Sequence, residues 1–214
     1  MVIKNIFKAI ILTCFLSGCK EKTEKLPFYN TADFTAEWID AGNAAYPKIH
    51  TIDTFSFKNQ LGHIVNKDSL NGHVYLANFF FCSCPGICPK MVSNLNVLQN
   101  AFVKEPQVKI VSFTVMPWRD SVKTLYYYGL AHQINPNKWY LLTGNKDQIY
   151  KLGRLSYFSE KKAGLNKGPD DFLHTESLLL IDKKSRIRGI YSATDTAQMR
   201  RAEADVRVLL KEKE

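Results

Sequence analysis

The sequence reads as an α/β protein: a central sheet flanked by helices, with a hairpin extension on its N-terminal side. Three observations lead there. Two apolar runs, Val74-Tyr-Leu-Ala-Asn-Phe-Phe-Phe81 and Val108-Lys-Ile-Val-Ser-Phe-Thr-Val115, have the length and the aromatic or β-branched content of buried strands. Between them Met91, Leu95, Leu98 and Phe102 recur at three- and four-residue steps, the spacing of an amphipathic helix. Late in the chain, Ser177-Leu-Leu-Leu-Ile-Asp182 and Arg186-Ile-Arg-Gly-Ile-Tyr191 form a hairpin that turns at Lys183-Lys184.

Taken in order, the chain opens with Lys4 and Lys8, a short apolar run over 9–16, and then Leu16-Ser-Gly-Cys19. This is a secretory signal over residues 1–18, too short to span a bilayer comfortably. Its ending resembles the bacterial lipobox, which implies that Cys14 leaves with the signal and that Cys19 becomes an acylated N-terminus. The Lys/Glu-rich residues that follow read as a flexible tether. The tether is drawn to residue 45 and the folded domain over 46–214. Phe55-Ser-Phe57 and the polar turn Lys58-Asn-Gln-Leu-Gly62 predict a hairpin over 51–65. Strand 74–81, a helix over about 90–104 and strand 108–115 come next. Asp120 or Ser121 caps a helix reaching about Ala131. Trp139-Tyr-Leu-Leu-Thr143 is a short strand closed by Gly144-Asn145, and residues 146–153 suit a helix. After the 177–191 hairpin, a helix from about Thr196 offers Met199, Val206 and Leu209/Leu210 as an apolar face. No repeat, low-complexity tract or interdomain linker interrupts this order. Strands alternating with helices, then a hairpin and a helix, make a sandwich of thioredoxin type.

The 45% hydrophobic composition is that of an ordinary globular domain. A net charge of +9, about +7 once Lys4 and Lys8 are removed, reads as a solvated basic surface. No basic block interleaved with aromatics points to nucleic acid. Export permits disulfides, yet past Cys19 only Cys82, Cys84 and Cys88 are left, all in one turn. Three clustered cysteines make a site and not a framework. They lie between a strand and a helix, with Pro89 suited to the first helical turn, where helix amides and dipole favour thiolate over thiol. Redox exchange and soft-metal binding both need thiolate.

Phe79-Phe-Phe-Cys-Ser-Cys-Pro-Gly-Ile-Cys-Pro-Lys-Met91 resembles the Sco/SenC family of copper-handling, thioredoxin-like proteins. Ser112-Phe-Thr-Val-Met-Pro-Trp-Arg-Asp120, Trp139-Tyr-Leu-Leu-Thr-Gly144, His174-Thr175 and the Ser177–Tyr191 hairpin agree in order and spacing, so the resemblance runs from about Pro47 to Leu210. It implies a metal site of Cys84, Cys88 and His174 that holds Cu(I) or Cu(II). It further implies a monomeric, membrane-tethered chaperone facing the periplasm, whose partner is the copper-bearing subunit of cytochrome c oxidase or another exported thiol client. Two thiolates suit Cu(I), and an added imidazole lets the site hold Cu(II) as well. Cys84 and Cys88, at i and i+4, are expected on one face of a helical turn, a spacing that also permits a disulfide. The alternative is therefore an enzyme, a thiol–disulfide oxidoreductase in which Cys84 and Cys88 are the redox pair. A copper-responsive or redox-sensing interaction protein is a third reading. His50, His63, His73 and His132 have no comparable context and read as ordinary residues.

Two departures from the family pattern bear on the site. Cys82 stands where a Thr or another small residue is usual, and an extended chain there points it to the same face as Cys84. It is then a packing group, an accessory ligand or a redox partner. Met116 replaces the usual Asp before Pro117, at the carboxyl end of the neighbouring strand, as a gap-filler or an accessory thioether ligand.

Overall fold

The computed structural model describes residues 25–159 and 175–212. Its centre is a five-stranded sheet of β5 (Val74–Phe80), β6 (Val108–Thr114), β7 (Trp139–Leu142), β8 (Ser177–Ile181) and β9 (Ile187–Ser192), in the order β7-β6-β5-β8-β9. β5, β6 and β7 run parallel, while β8 and β9 run antiparallel as the predicted hairpin. Every residue of β5 is buried, as its unbroken apolar run requires of a strand covered on both faces.

Alternation along that strand builds two cores. Val74, Leu76 and Phe80 meet helices α1 (Cys88–Ala101), α2 (Val122–Ala131) and α4 (Thr196–Lys211) through Met91, Leu95, Leu125, Met199 and Val206. Tyr75, Ala77 and Phe79 meet the other layer, made by the hairpin β3 (Ser56–Lys58) and β4 (Ile64–Asn66) with helix α3 (Lys146–Lys151). That layer contributes Phe57, Val65, Ile149 and Tyr157. Each fully buried side chain of this kind stabilises the fold by about 1.5–3 kcal/mol. On the helical face one polar chain is internally satisfied: Trp139 Nε1 donates to Ser112 Oγ (2.7 Å), which donates to Asn78 Oδ1 (2.5 Å).

The helix starts follow from capping chemistry. Ser121 Oγ accepts from Thr124 N at 3.1 Å, Asn145 Oδ1 from Gln148 N at 3.1 Å, and Asp195 Oδ1 from Ala197 N at 2.8 Å. Ser121, not Asp120, is thus the cap of α2. Helix α1 starts two residues ahead of the expected Lys90, with a proline in its first turn and no side-chain oxygen on its amides. Helix α3 is shorter than expected and continues as a π-helical turn over Leu152–Ser156.

The sequence reading missed a two-residue pairing of β1 (Phe28–Tyr29) with β2 (Ala36–Glu37), too short to show a period. Leu26 and Phe28 are buried, so part of the stretch read as tether packs on the domain. No helix among the described residues is long and apolar enough to cross a membrane. The predicted signal segment, Cys14, Cys19 and His174 lie outside the described residues.

Candidate metal centre

The carboxyl ends of β5 and β6 lie side by side, with Phe80 paired to Thr114 and Val115 N donating to Phe80 O at 2.8 Å. Here β5 gives way to a tight turn in which Cys84 N donates to Phe81 O at 3.3 Å. Cys88 then opens α1, and Met91 N donates to Ile87 O at 3.0 Å as the helix begins. Cys84 and Cys88 are buried, Cys82 is half-buried, and all three are free thiols. The pair therefore does not share a helical turn, as the spacing predicts. Cys84 precedes the helix and meets its N-terminus.

That placement sets the chemistry of the two sulfurs. Burial alone raises Cys84, but the Cys88 thiol and the backbone N–H groups of Cys88, Gly86 and Ile87 outweigh it. The net effect holds Cys84 below the ordinary thiol range. Two of these N–H groups, of Gly86 and Ile87, belong to the turn that enters α1, and the third is that of Cys88, its first residue. Cys88 is pushed up to about 12, first by burial and then by donating its proton to Cys84. One sulfur is favoured as thiolate and the other holds the shared proton.

Cys82 belongs to a different arrangement. The chain turns at residues 82–83 and is not extended there, so the premise that aligned Cys82 with Cys84 fails. Its N–H donates to Asp120 Oδ2 at 3.1 Å, and its thiol also bonds to that carboxylate. Burial and then the Asp120 charge push Cys82 far above the ordinary thiol range. Asp120, 2% exposed, also accepts from Thr114 Oγ1, which in turn accepts from Met116 N at 3.1 Å. The loop after β6 thereby holds the turn after β5. Met116 is half-buried against the core on the hairpin side, whereas Cys84 and Cys88 belong to the core under α1, α2 and α4.

Two residues near the site escaped the sequence reading. Asp120 was legible only as a helix cap; the signal to find it was an acid beside a better cap, at the end of a strand parallel to β5. Tyr128, on α2, packs its ring against Phe80 at 5.5 Å. Burial, followed by the charges of Cys82, Cys88 and Cys84, raises its phenol well above the ordinary range. Nothing in the sequence distinguishes it from Tyr126 and Tyr127, which are exposed.

The sheet register brings one more segment to this edge. Leu179 of β8 pairs antiparallel with Ala77, so the start of β8 at Ser177 points towards the carboxyl end of β5. The start of β8 is fastened there: Ala193 N donates to Glu176 O at 2.8 Å, and Asn94 Nδ2 of α1 donates to Ala193 O at 2.8 Å.

Two thiols, one already favoured as thiolate, fit a soft monovalent ion such as Cu(I). Among the described residues no group of three His, Cys, Asp or Glu side chains is placed to hold a metal, and His50, His63, His73 and His132 join none.

Comparison with known proteins supplies the context. The family model described as SCO1/SenC matches residues 43–210. A SCO1 protein homolog of Bacillus subtilis is 31% identical over 154 residues, 70% of this chain and 77% of the relative. A SCO2-like protein of Rickettsia prowazekii is 33% identical over 194 residues, 85% and 87% of the two chains. Among solved structures, a SCO1/SenC family lipoprotein from Bacillus anthracis superposes with TM-score 0.66 at 28% identity, covering 76% of this chain and 96% of that one. BsSco, described as a Sco-family cytochrome c oxidase assembly protein with a disulfide switch, gives 0.64 at 27%, covering 76% and 95%. Bradyrhizobium japonicum ScoI with copper bound gives 0.60 at 25%, covering 74% and 99%.

Proposed function

Since this chain belongs to the SCO1/SenC family, we propose that it is a membrane-tethered copper-binding chaperone that assists assembly of the binuclear copper centre of cytochrome c oxidase. Cys84, Cys88 and His174 are the ligands of the carried ion, and Cys19 carries the lipid that holds the domain on the outer side of a bacterial membrane. The observation that carries this reading is the sulfur pair at the N-terminus of α1, where three backbone amides and a neighbouring thiol stabilise thiolate at Cys84. In sequence His174 stands just ahead of β8, whose start points towards the carboxyl end of β5. Copper bound in the Bradyrhizobium japonicum structure supports the cargo, and the Bacillus anthracis lipoprotein supports the anchor.

The asymmetry of the pair favours a second use of the same residues. Cys84 thiolate attacks a client disulfide, forming a mixed disulfide and releasing one client thiolate. Cys88 then loses its proton and attacks Cys84 Sγ, releasing the second client thiolate and leaving a Cys84–Cys88 disulfide. Two electrons pass to the client, and an external dithiol must return them before the next turn.

Titration of the fully reduced protein with Cu(I) and with Cu(II), alongside His174→Ala and Cys82→Ser, tests the assignment. We expect one tightly bound copper, loss of Cu(II) but not of dithiol chemistry in His174→Ala, and retention of both ions in Cys82→Ser. A folded, reduced protein that binds no copper tightly would sink the chaperone reading and leave the oxidoreductase.

A further inference from the structure

The buried guanidinium of Arg188 uses all five of its N–H donors. Nε donates to Pro27 O at 3.0 Å and Nη2 to Leu26 O at 2.7 Å. Nη1 reaches Asp182 Oδ2 at 3.2 Å and Glu212 Oε2 at 3.0 Å, and Nη2 reaches Glu212 Oε1 at 3.1 Å. Its plane lies over the Phe28 ring at 4.1 Å, and Arg186 covers the same ring at 4.9 Å. Lys25 is held just outside this knot by Asp40 at 2.8 Å, while Trp38 Nε1 donates to Lys25 O at 3.2 Å. The first described residues and the last turn of α4 are thus fastened to one arginine.

The position of that knot in the sheet is the informative part. β8 runs antiparallel to β5, so Asp182, just past the end of β8, and Arg188, near the start of β9, lie at the amino end of β5. Gly72 N, ahead of β5, donates to Lys183 O at 3.2 Å and marks the same pole. The cysteine turn lies at the carboxyl end. Seven residues of β5 separate the two, about 20 Å at the usual strand rise. From Lys25 the chain runs into β1, and Tyr29 comes under the influence of Arg201 and Asp205, midway along α4 towards the cysteine end. The chain therefore enters the domain at the pole that the cysteines do not occupy.

We infer that this pole faces the membrane and that the Cys84–Cys88 turn is presented on the far side of the domain, away from the lipid. The inference rests on the membrane-tethered reading of the N-terminus. The six steps from Cys19 to Lys25 reach at most about 20 Å when fully extended, and the arginine knot keeps Leu26 onwards from lengthening that reach. Exposed Lys184 and Lys211 and half-buried Lys183 sit at the membrane pole, and exposed Lys90 and Lys123 sit at the cysteine pole. Copper and thiol exchange then take place with clients whose reactive groups stand off the bilayer by the depth of the domain.

The test uses the full chain carrying its own N-terminus, in vesicles of phosphatidylethanolamine and phosphatidylglycerol that include a lipid with a photoreactive headgroup. After illumination, adducts are located by mass spectrometry. Yields severalfold higher on the 183–184 turn and Lys211 than around Lys90 and Lys123 are expected. The reverse order, or an even spread, overturns the inference. The intact mass of the chain reports acylation of Cys19 separately. Acylated protein with adducts at the cysteine pole keeps the anchor and discards the orientation. Membrane-bound protein without acyl groups but with adducts at the arginine pole does the opposite. A chain found only in the soluble fraction overturns both.

Discussion

Replacing Cys88 with alanine should raise the pH at which Cys84 becomes a nucleophile. In the intact turn burial raises Cys84, and the Cys88 thiol together with the N–H groups of Cys88, Gly86 and Ile87 lowers it by more. Alanine removes the thiol donor and keeps the three backbone N–H groups. A hydrogen bond to a charged group contributes about 1.5–3 kcal/mol. At about 1.4 kcal/mol per factor of ten, the thiolate fraction of Cys84 at neutral pH should fall by about tenfold or more. The assay is the rate of iodoacetamide alkylation at Cys84 against pH, resolved from Cys82 and Cys88 by mass spectrometry. Cys88→Ser keeps an O–H donor and should fall between wild type and alanine. Within wild type, a Cys88 pushed up to about 12 is thiolate in only about one molecule in ten thousand near pH 8, so Cys84 should be labelled first. An unchanged or lower midpoint in Cys88→Ala, or faster labelling of Cys88 than of Cys84, would refute the division of roles between the two sulfurs.

Asp120→Ala strands the N–H of Cys82 and the hydroxyl of Thr114, a loss of about 2–4 kcal/mol in urea unfolding. Asp120→Asn, which keeps an acceptor oxygen, should lose clearly less; equal losses would mean that the hydrogen bonds are not the cause. Arg188→Leu removes the partner of Asp182 and Glu212, at a cost of about 3 kcal/mol because Arg186 still pairs with Asp182 at 2.7 Å. It should also open the Phe28–Phe34 stretch to chymotrypsin, and an uncut segment would count against the clamp. The raised Cys88 also makes a prediction with a definite sign. Below its ordinary value both folded and unfolded chains hold the proton and this contribution is complete. As pH rises from about 9 to about 12 the unfolded chain releases it first, so stability falls. Thermal melts across that window should show the fall in wild type and a smaller one in Cys88→Ala.

The sheet was legible because its signals are long. The seven residues of β5 and of β6 are apolar enough to exclude anything but covered strands, and the 177–191 hairpin carries its own turn. Elements whose information is not periodic stayed hidden. β1 and β2 are two residues each and exist because Phe28 finds Arg186 and Arg188, side chains about 160 positions away. No local pattern announces such a partner. The start of α1 was misplaced for a related reason: the usual N-terminal signal is a capping oxygen, and α1 has no side-chain cap.

The same distinction explains what the cysteines disclosed. That Cys84 and Cys88 meet followed from their clustering in a strand-to-helix turn, since proximity within a turn is a property of sequence. The part played by Cys82 was not of that kind. Whether it faces its neighbours or something else depends on whether the backbone is extended or turned at that point, and the turn is fixed by Asp120, which belongs to another loop. A carboxylate beside a thiol holds the proton on sulfur, so the residue that looked like a third thiolate is the one least disposed to become one. Met116 packs half-buried against the core on the hairpin side, a placement its sequence neighbours did not disclose. Both the N–H and the thiol of Cys82 go to Asp120, so this cysteine ties the turn after β5 to the loop after β6.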